Sequence, residues 1–183
     1  QKTFSTDTKY VETVYAQNGI YVNNAGLVLV YPFLSHYFQK TELMDENESF
    51  HSSIAQEKAA LLLHYLLYRE PPKSEHELVL NKLLCGIPLA HAIDLSSRMD
   101  ELAIKEGKKM LKAVINNWEA LGNTDVPSLT EAFLTRKGKL EFRSSHIHLL
   151  IQKESMDILL GRIPWTLSFV KLPFMQKLIK IDW

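Results

Sequence analysis

The sequence predicts an α+β fold, predominantly helical (about five helices) and followed by a small antiparallel sheet at the C-terminus. Three observations carry this. Apolar residues recur at helical spacing from about residue 32 to 136, and from 139 onward they alternate or come in short runs, as strands do. The helical stretches are bounded by capping residues, glycines and prolines. The chain has 183 residues, 46% hydrophobic and 23% charged. Such a chain is not wholesale disordered, and it can bury roughly 70% of the surface it exposes when unfolded.

The polar opening, residues 1–19, is poor in large aliphatic side chains up to about Gln17 and is expected to be an extension or linker. Residues 20–183 are expected to form a single globular C-terminal module of a longer protein, since the chain starts at Gln1 with no signal-peptide pattern. The Val-rich stretch Gly26 to Tyr31 reads as a strand or an earlier turn of helix. Pro32 suits a first helical position, after which Phe33, Tyr37 and Phe38 share a face.

A second helix is expected over about Ser53 to Arg69, turning Ile54, Leu61, Leu62, Tyr65 and Leu66 to the core and stopped by Pro71-Pro72. The third has Ser74 as N-cap with Glu77 three residues on, a capping box, and ends at Gly86 and Pro88. The fourth spans about Ser97 to Leu121 and stacks Leu102, Met110, Leu111, Val114, Ile115 and Trp118. A short fifth is capped by Asp125, contains Pro127 and closes before Gly138. Leu140 to Phe142 and Ile147 to Ile151, separated by Arg143-Ser144-Ser145, read as a hairpin. Trp165 to Val170 and Leu178 to Trp183 read as two more strands.

Charge excludes little but is unevenly spread. Lys plus Arg and Asp plus Glu both number 21, yet residues 136–183 hold nine basic against four acidic side chains. A basic sheet on an acidic helical body suits an acidic protein surface or nucleic acid, though no aromatic-plus-Arg stacking motif accompanies it, and a solvated strand face explains it as well. The longest apolar stretches, Leu27 to Leu34 and Ala59 to Tyr68, fall far short of the ~18 residues that a membrane span needs. A soluble globular domain is expected.

The case for catalysis is poor. His146 and His148 point the same way on a strand, as paired metal ligands can, but no HExxH, Cys pair or acidic loop supplies a third ligand. Cys85, the only cysteine, rules out an intramolecular disulfide. It ends a helix, where the electronegative terminus raises a thiol pKa, so it reads as a small buried residue. Glu75 and Glu77 sit in one helical turn without the separation across a cleft that acid/base pairs need. His64 and His91 read as core or surface histidines, and Trp118, Trp165 and Trp183 as packing anchors. No catalytic residue, metal or cofactor is expected.

Several strings are distinctive: Asn24-Ala25-Gly26-Leu27 leading to Pro32-Phe33-Leu34; the run Glu77 to Gly86; Asn117-Trp118 with Leu121; and Glu131-Ala132-Phe133-Leu134 through Arg136 to Leu140. The end carries Asp157 to Leu160, Arg162-Ile163-Pro164-Trp165, Lys171 to Met175 and Trp183. In this order and spacing they resemble the C-terminal region of contractile injection system tape measure proteins, over about residues 20–183. The run 77–86 and the closing segment are the most specific. Ile163 stands where Leu is expected, and Phe174 where Trp is commoner.

The resemblance implies a structural assembly protein of a phage-tail-like particle, a molecular ruler whose extended segment sets the length of the tail tube. The compact module would anchor that ruler to the tube or baseplate hub end. Implied partners are inner tube, hub, spike or baseplate proteins, and self-association; nucleic acid and a membrane span are not expected. The implied location is cytoplasmic during assembly, then within the injection particle. The contact is expected at the strand edge near 165–183, through Trp165, Phe169, Lys171, Phe174 and Trp183, because an exposed edge is a template for strand addition. The alternative is a metal-dependent hydrolase or cargo effector using His146 and His148 with a carboxylate such as Asp157. A third reading is a nucleic-acid-binding module using the basic C-terminal third.

Overall fold

The computed structural model describes residues 18–183. All but the last two residues of the expected N-terminal extension lie outside that range. Strand β1 (Ile20–Val22) leads into a 3-10 turn over Ala25–Val30 whose six residues are all buried. The Val-rich stretch is therefore helical. It runs straight into helix α1 (Tyr31–Lys40), with Pro32 in the first turn, where its missing N–H costs nothing.

Helix α2 (Ser53–Tyr68) is the central element. Ser52 caps it by accepting from the Ala55 N–H at 3.1 Å, and it ends because Arg69 turns left-handed at φ 58°, before the prolines are reached. Ala55, Ala59 and Ala60 are buried along with Leu61 to His64, so α2 has neighbours on more than one face. Ile54, expected in the core, is 63% exposed, although Ala55 in the same turn is buried. The third helix begins as a 3-10 turn (Glu75–Leu78) before α3 (Val79–Leu84). The expected capping box is absent: Ser74 makes no side-chain cap bond, and the Glu77 carboxylate accepts from the Lys73 N–H at 2.7 Å.

Helix α4 (Glu101–Asn117) starts at the Asp100 cap and is shorter at both ends than expected. Its buried stripe is Ala103, Gly107, Met110, Leu111, Val114 and Ile115. Leu102 lies about 100° off that stripe and is 58% exposed, correcting its expected place in the core. Trp118 follows the helix and is fully buried. After a 3-10 turn (Glu119–Leu121), α5 (Val126–Leu129) is capped by Asp125, which accepts from the Ser128 N–H at 2.9 Å, and it continues as a π turn over Thr130–Leu134.

The remaining strands are β2 (Gly138–Phe142), β3 (His146–Ile151), β4 (Phe169–Val170) and β5 (Leu178–Asp182). They form a five-stranded sheet in the order β1-β2-β3-β5-β4. The hairpin β2–β3 matches the expectation, with Ile147, Leu149 and Ile151 buried. Two features correct it. The sheet is mixed rather than antiparallel, since β5 runs parallel to β3 after a long crossover. It also recruits β1 from the other end of the chain. The expected strand Trp165–Val170 shrinks to its last two residues. The inner sheet face, including Leu140, Leu149, Ile179 and Ile181, belongs to the same core as the helices. Among the described residues no helix is long and apolar enough to cross a membrane.

Candidate interaction surface

The distinctive strings of the sequence meet inside the molecule. Asn24 and Asn81, both at most 3% exposed, hydrogen-bond side chain to side chain at 2.7 Å, and Asn81 donates on to the Ala60 carbonyl at 2.9 Å. A Cβ on Gly26 would stand 1.6 Å from the Phe133 carbonyl oxygen, so only glycine lets these backbones touch. Gly86, at φ 73°, lies against the carbonyl of Phe174 in the same way, with 1.9 Å available to a Cβ. The indole N–H of Trp118 donates to the Leu159 carbonyl at 3.2 Å, and that of Trp165 to the Leu29 carbonyl at 3.0 Å.

Arg136 is the most elaborate of these ties. Its side chain, 5% exposed, donates to the Ala132 and Gln152 carbonyls and to both oxygens of Asp157, the closer at 2.6 Å. The rings of Phe133 and Trp183 each lie 5.8 Å from its guanidinium carbon. Asp157 also accepts from the Glu154 N–H in a capping box, which starts the 3-10 segment Ser155–Arg162.

This packing takes up most of the residues expected to meet a partner. Trp165 stacks edge-on with Phe33 at 5.3 Å, and Phe174 packs against Phe38 and Phe50. Trp183 lies half-buried against Arg136, with its indole N–H buried and unpaired. Lys171 is exposed but folds its ammonium back to the Met175 carbonyl. Phe169 alone of the five presents an exposed ring, 52% accessible. Within 165–183, β5 lies between β3 and β4, and the sheet ends at β4, an edge strand of only two residues.

What the fold leaves open is the outer sheet face. Strand register sets Glu141, His148, Lys180 and Phe169 in one cross-strand row, and Tyr21, Lys139, Leu150 and Asp182 in the next. Lys139 and Arg143 both pair with Glu141, at 3.5 and 2.5 Å, and Lys139 lies over the exposed Tyr21 ring. Lys180 and Phe169 sit side by side at the β4 end of that row. A second exposed apolar feature was missed by sequence reasoning: Ile158 is 82% and Met156 47% exposed on the 3-10 segment. Leu159 and Leu160 of the same segment pack against the core, while Met156 and Ile158 face outward.

The candidate catalytic groups are dispersed. His146 and His148 have ring centroids 6.5 Å apart on the outer face, while Asp157, the carboxylate considered with them, is held by Arg136. Among the described residues no group of three His, Cys, Asp or Glu is placed to hold a metal ion. Burial pushes the Cys85 thiol far above its ordinary pKa, which removes the thiolate a nucleophile needs. Glu75 is committed to structure: its carboxylate holds the buried Lys82 ammonium and accepts from the Ile93 N–H at 2.5 Å. Lys82 also donates to the His91 carbonyl, which fastens the loop after α3, while the His91 ring bonds Glu57 at 2.7 Å.

Comparison with known families gives one assignment. The family model described as contractile injection system tape measure protein matches residues 2–183. No curated protein and no solved structure matches the chain.

Proposed function

The chain belongs to the contractile injection system tape measure protein family, a structural and not an enzyme family, and on that premise we propose that this module anchors a length-determining ruler at the tube or hub end of a phage-tail-like particle. The observation that supports the reading is the outer sheet face. The inner face is consumed by the helical core, whereas Phe169, Lys180 and Tyr21 stand exposed on the outer face, with His146 and His148 half-buried beside them. An aromatic ring beside a cation on a fixed strand pair is the kind of anchor on which interfaces concentrate their energy. Inner tube, hub, spike or baseplate proteins are the partners this reading requires, met in the cytoplasm as the particle assembles.

Size favours an end position. A chain of this length has a radius of gyration of about 16 Å and a body roughly 40 Å across. Such bodies do not lie side by side in a narrow channel, so the module occupies an end or a wider chamber while an extended segment spans the tube.

The test is Phe169→Asp combined with Lys180→Glu in cells that make the particle. The variant protein is expected to fold, because neither side chain supports the core, yet to be missing from sedimented particles, whose tubes lose their uniform length. Particles that carry the variant in normal amount with unchanged tube length would refute the anchoring role of this face.

A further inference from the structure

The helical body carries the acidic share of the sequence, yet one of its faces is basic. Lys105, Lys108, Lys109 and Lys112, spaced i, i+3, i+4 and i+7, lie together on the side of α4 away from its buried stripe, and all four are exposed. Lys109 pairs with Glu106 at 2.6 Å. That hydrogen bond, with Lys40 and Lys105 nearby, holds Glu106 below its ordinary pKa, so this carboxylate already answers three ammonium groups. Among the described residues Lys105, Lys108, Lys112 and Arg69, which follows α2, form no ion pair, and neither does Glu101, a turn before Lys105. The other acids close by are engaged: Glu70 with Lys73, and Asp125 with the Ser128 N–H.

Beside this stripe a groove of about 110 Å³ opens between α2, α4 and α5. The buried Leu66 and Leu111 and the half-buried Tyr65, Ile104 and Val126 line it, and Arg69 and Lys108 border it with charge. On the same measure one water needs only ~10–15 Å³, so a side chain of several heavy atoms enters. Lys105 and Lys112 are seven residues apart, about 10 Å along the helix. One anionic headgroup does not reach both, whereas carboxylates in a row along a peptide do. The occupant therefore brings several negative charges and one apolar side chain. The acidic loop of a second copy supplies only the first: Glu42, Glu46 and Glu48 are exposed there, but Leu43 and Met44 pack into the core. A nucleic-acid backbone likewise meets the cations and leaves the groove unfilled.

We infer that this face of α4 binds an acidic segment of a protein partner, which sets an aliphatic side chain in the groove and its carboxylates against Lys105, Lys108, Lys112 and Arg69. The outer sheet face contributes none of these residues, so this surface and the anchoring role of that face can fail separately. Binding to the chain is measured by fluorescence anisotropy with a labelled poly-glutamate peptide that carries one central leucine, with the same peptide carrying serine instead, and with a short DNA duplex. The leucine peptide is expected to bind saturably, more weakly as salt rises, and several-fold more tightly than the serine peptide. Lys105→Glu, Lys108→Glu and Lys112→Glu together are expected to weaken it about tenfold or more with the urea midpoint kept, since these side chains are exposed. Lys153→Glu, Arg162→Glu and Lys180→Glu, the same change of charge in the sheet third, are expected to cost far less. Equal binding of the leucine and serine peptides by the unaltered chain overturns the groove, and an equal loss in the two triple variants overturns the stripe. DNA bound more tightly than the leucine peptide, or self-association of the chain that the α4 triple variant abolishes, overturns the acidic segment as occupant.

Discussion

Arg136 and Lys180 are both cations of the sheet third, and they live under opposite conditions. Arg136 is buried, and its donors reach two carbonyls and a carboxylate of the same chain. Lys180 stands exposed on the outer face beside Phe169. The same contrast separates Asn24, which donates to Asn81 in the core, from His64, whose buried Nδ1 is left unpaired. The lesson concerns how motifs are read. The strings that carry the family resemblance are mostly the places where this chain completes itself. The surface we propose for a partner is written in residues whose types are common on any strand face.

The contrast can be broken most severely at the glycines. Gly26→Ala and Gly86→Ala each drive a Cβ into a backbone carbonyl, and the expected cost is about 3 kcal/mol or more, read as a lowered urea midpoint. Gly122→Ala is the control for Gly26→Ala and Gly86→Ala in one respect: its Cβ meets open space, so only its positive φ is strained. A midpoint for Gly86→Ala equal to that of Gly122→Ala would show that Phe174 does not press on residue 86.

Next in size is Asp157→Ala, which strands a buried guanidinium and removes one of the two bonds of the capping box that starts the 3-10 segment. About 3 kcal/mol of destabilisation is expected, somewhat less if water reaches Arg136 through the vacated corner. An Arg136→Met, Asp157→Leu double variant should recover part of that loss, because apolar replacements leave no charge unpaired. Smallest of all is the outer face: Lys180→Ala or His148→Ala should change stability by less than about 0.5 kcal/mol. A loss as large as that of Asp157→Ala would mean that the face is part of the fold and would erase the contrast.

Legibility followed the range of the interactions. The hairpin of β2 and β3 was readable because alternation and a short polar turn are local, and α4 because its stripe repeats along one helix. The Asp125 cap was readable for the same reason, whereas the Ser74 cap was not, since Lys73 offered Glu77 a competing backbone donor. Some of the residues expected to meet a partner are packed within the chain. Trp165 and Phe174 look like anchors in sequence, and their partners Leu29 and Phe38 lie more than a hundred residues away. Nothing near either aromatic residue announces that the chain has already used it.

By itself the sequence determined the α+β class, the period change near residue 138, the absence of a local catalytic motif and the family to which the chain belongs. These depend on side-chain order along the chain and on backbone preferences that neighbours enforce. Only the tertiary structure decided that β5 lies parallel to β3, that β1 joins the far edge, that Arg136 closes on Asp157, and that His64 is buried against Tyr68. Each of those depends on which distant groups come within hydrogen-bonding distance, and burial energy settles that for the whole core at once, with no local pattern to record the choice.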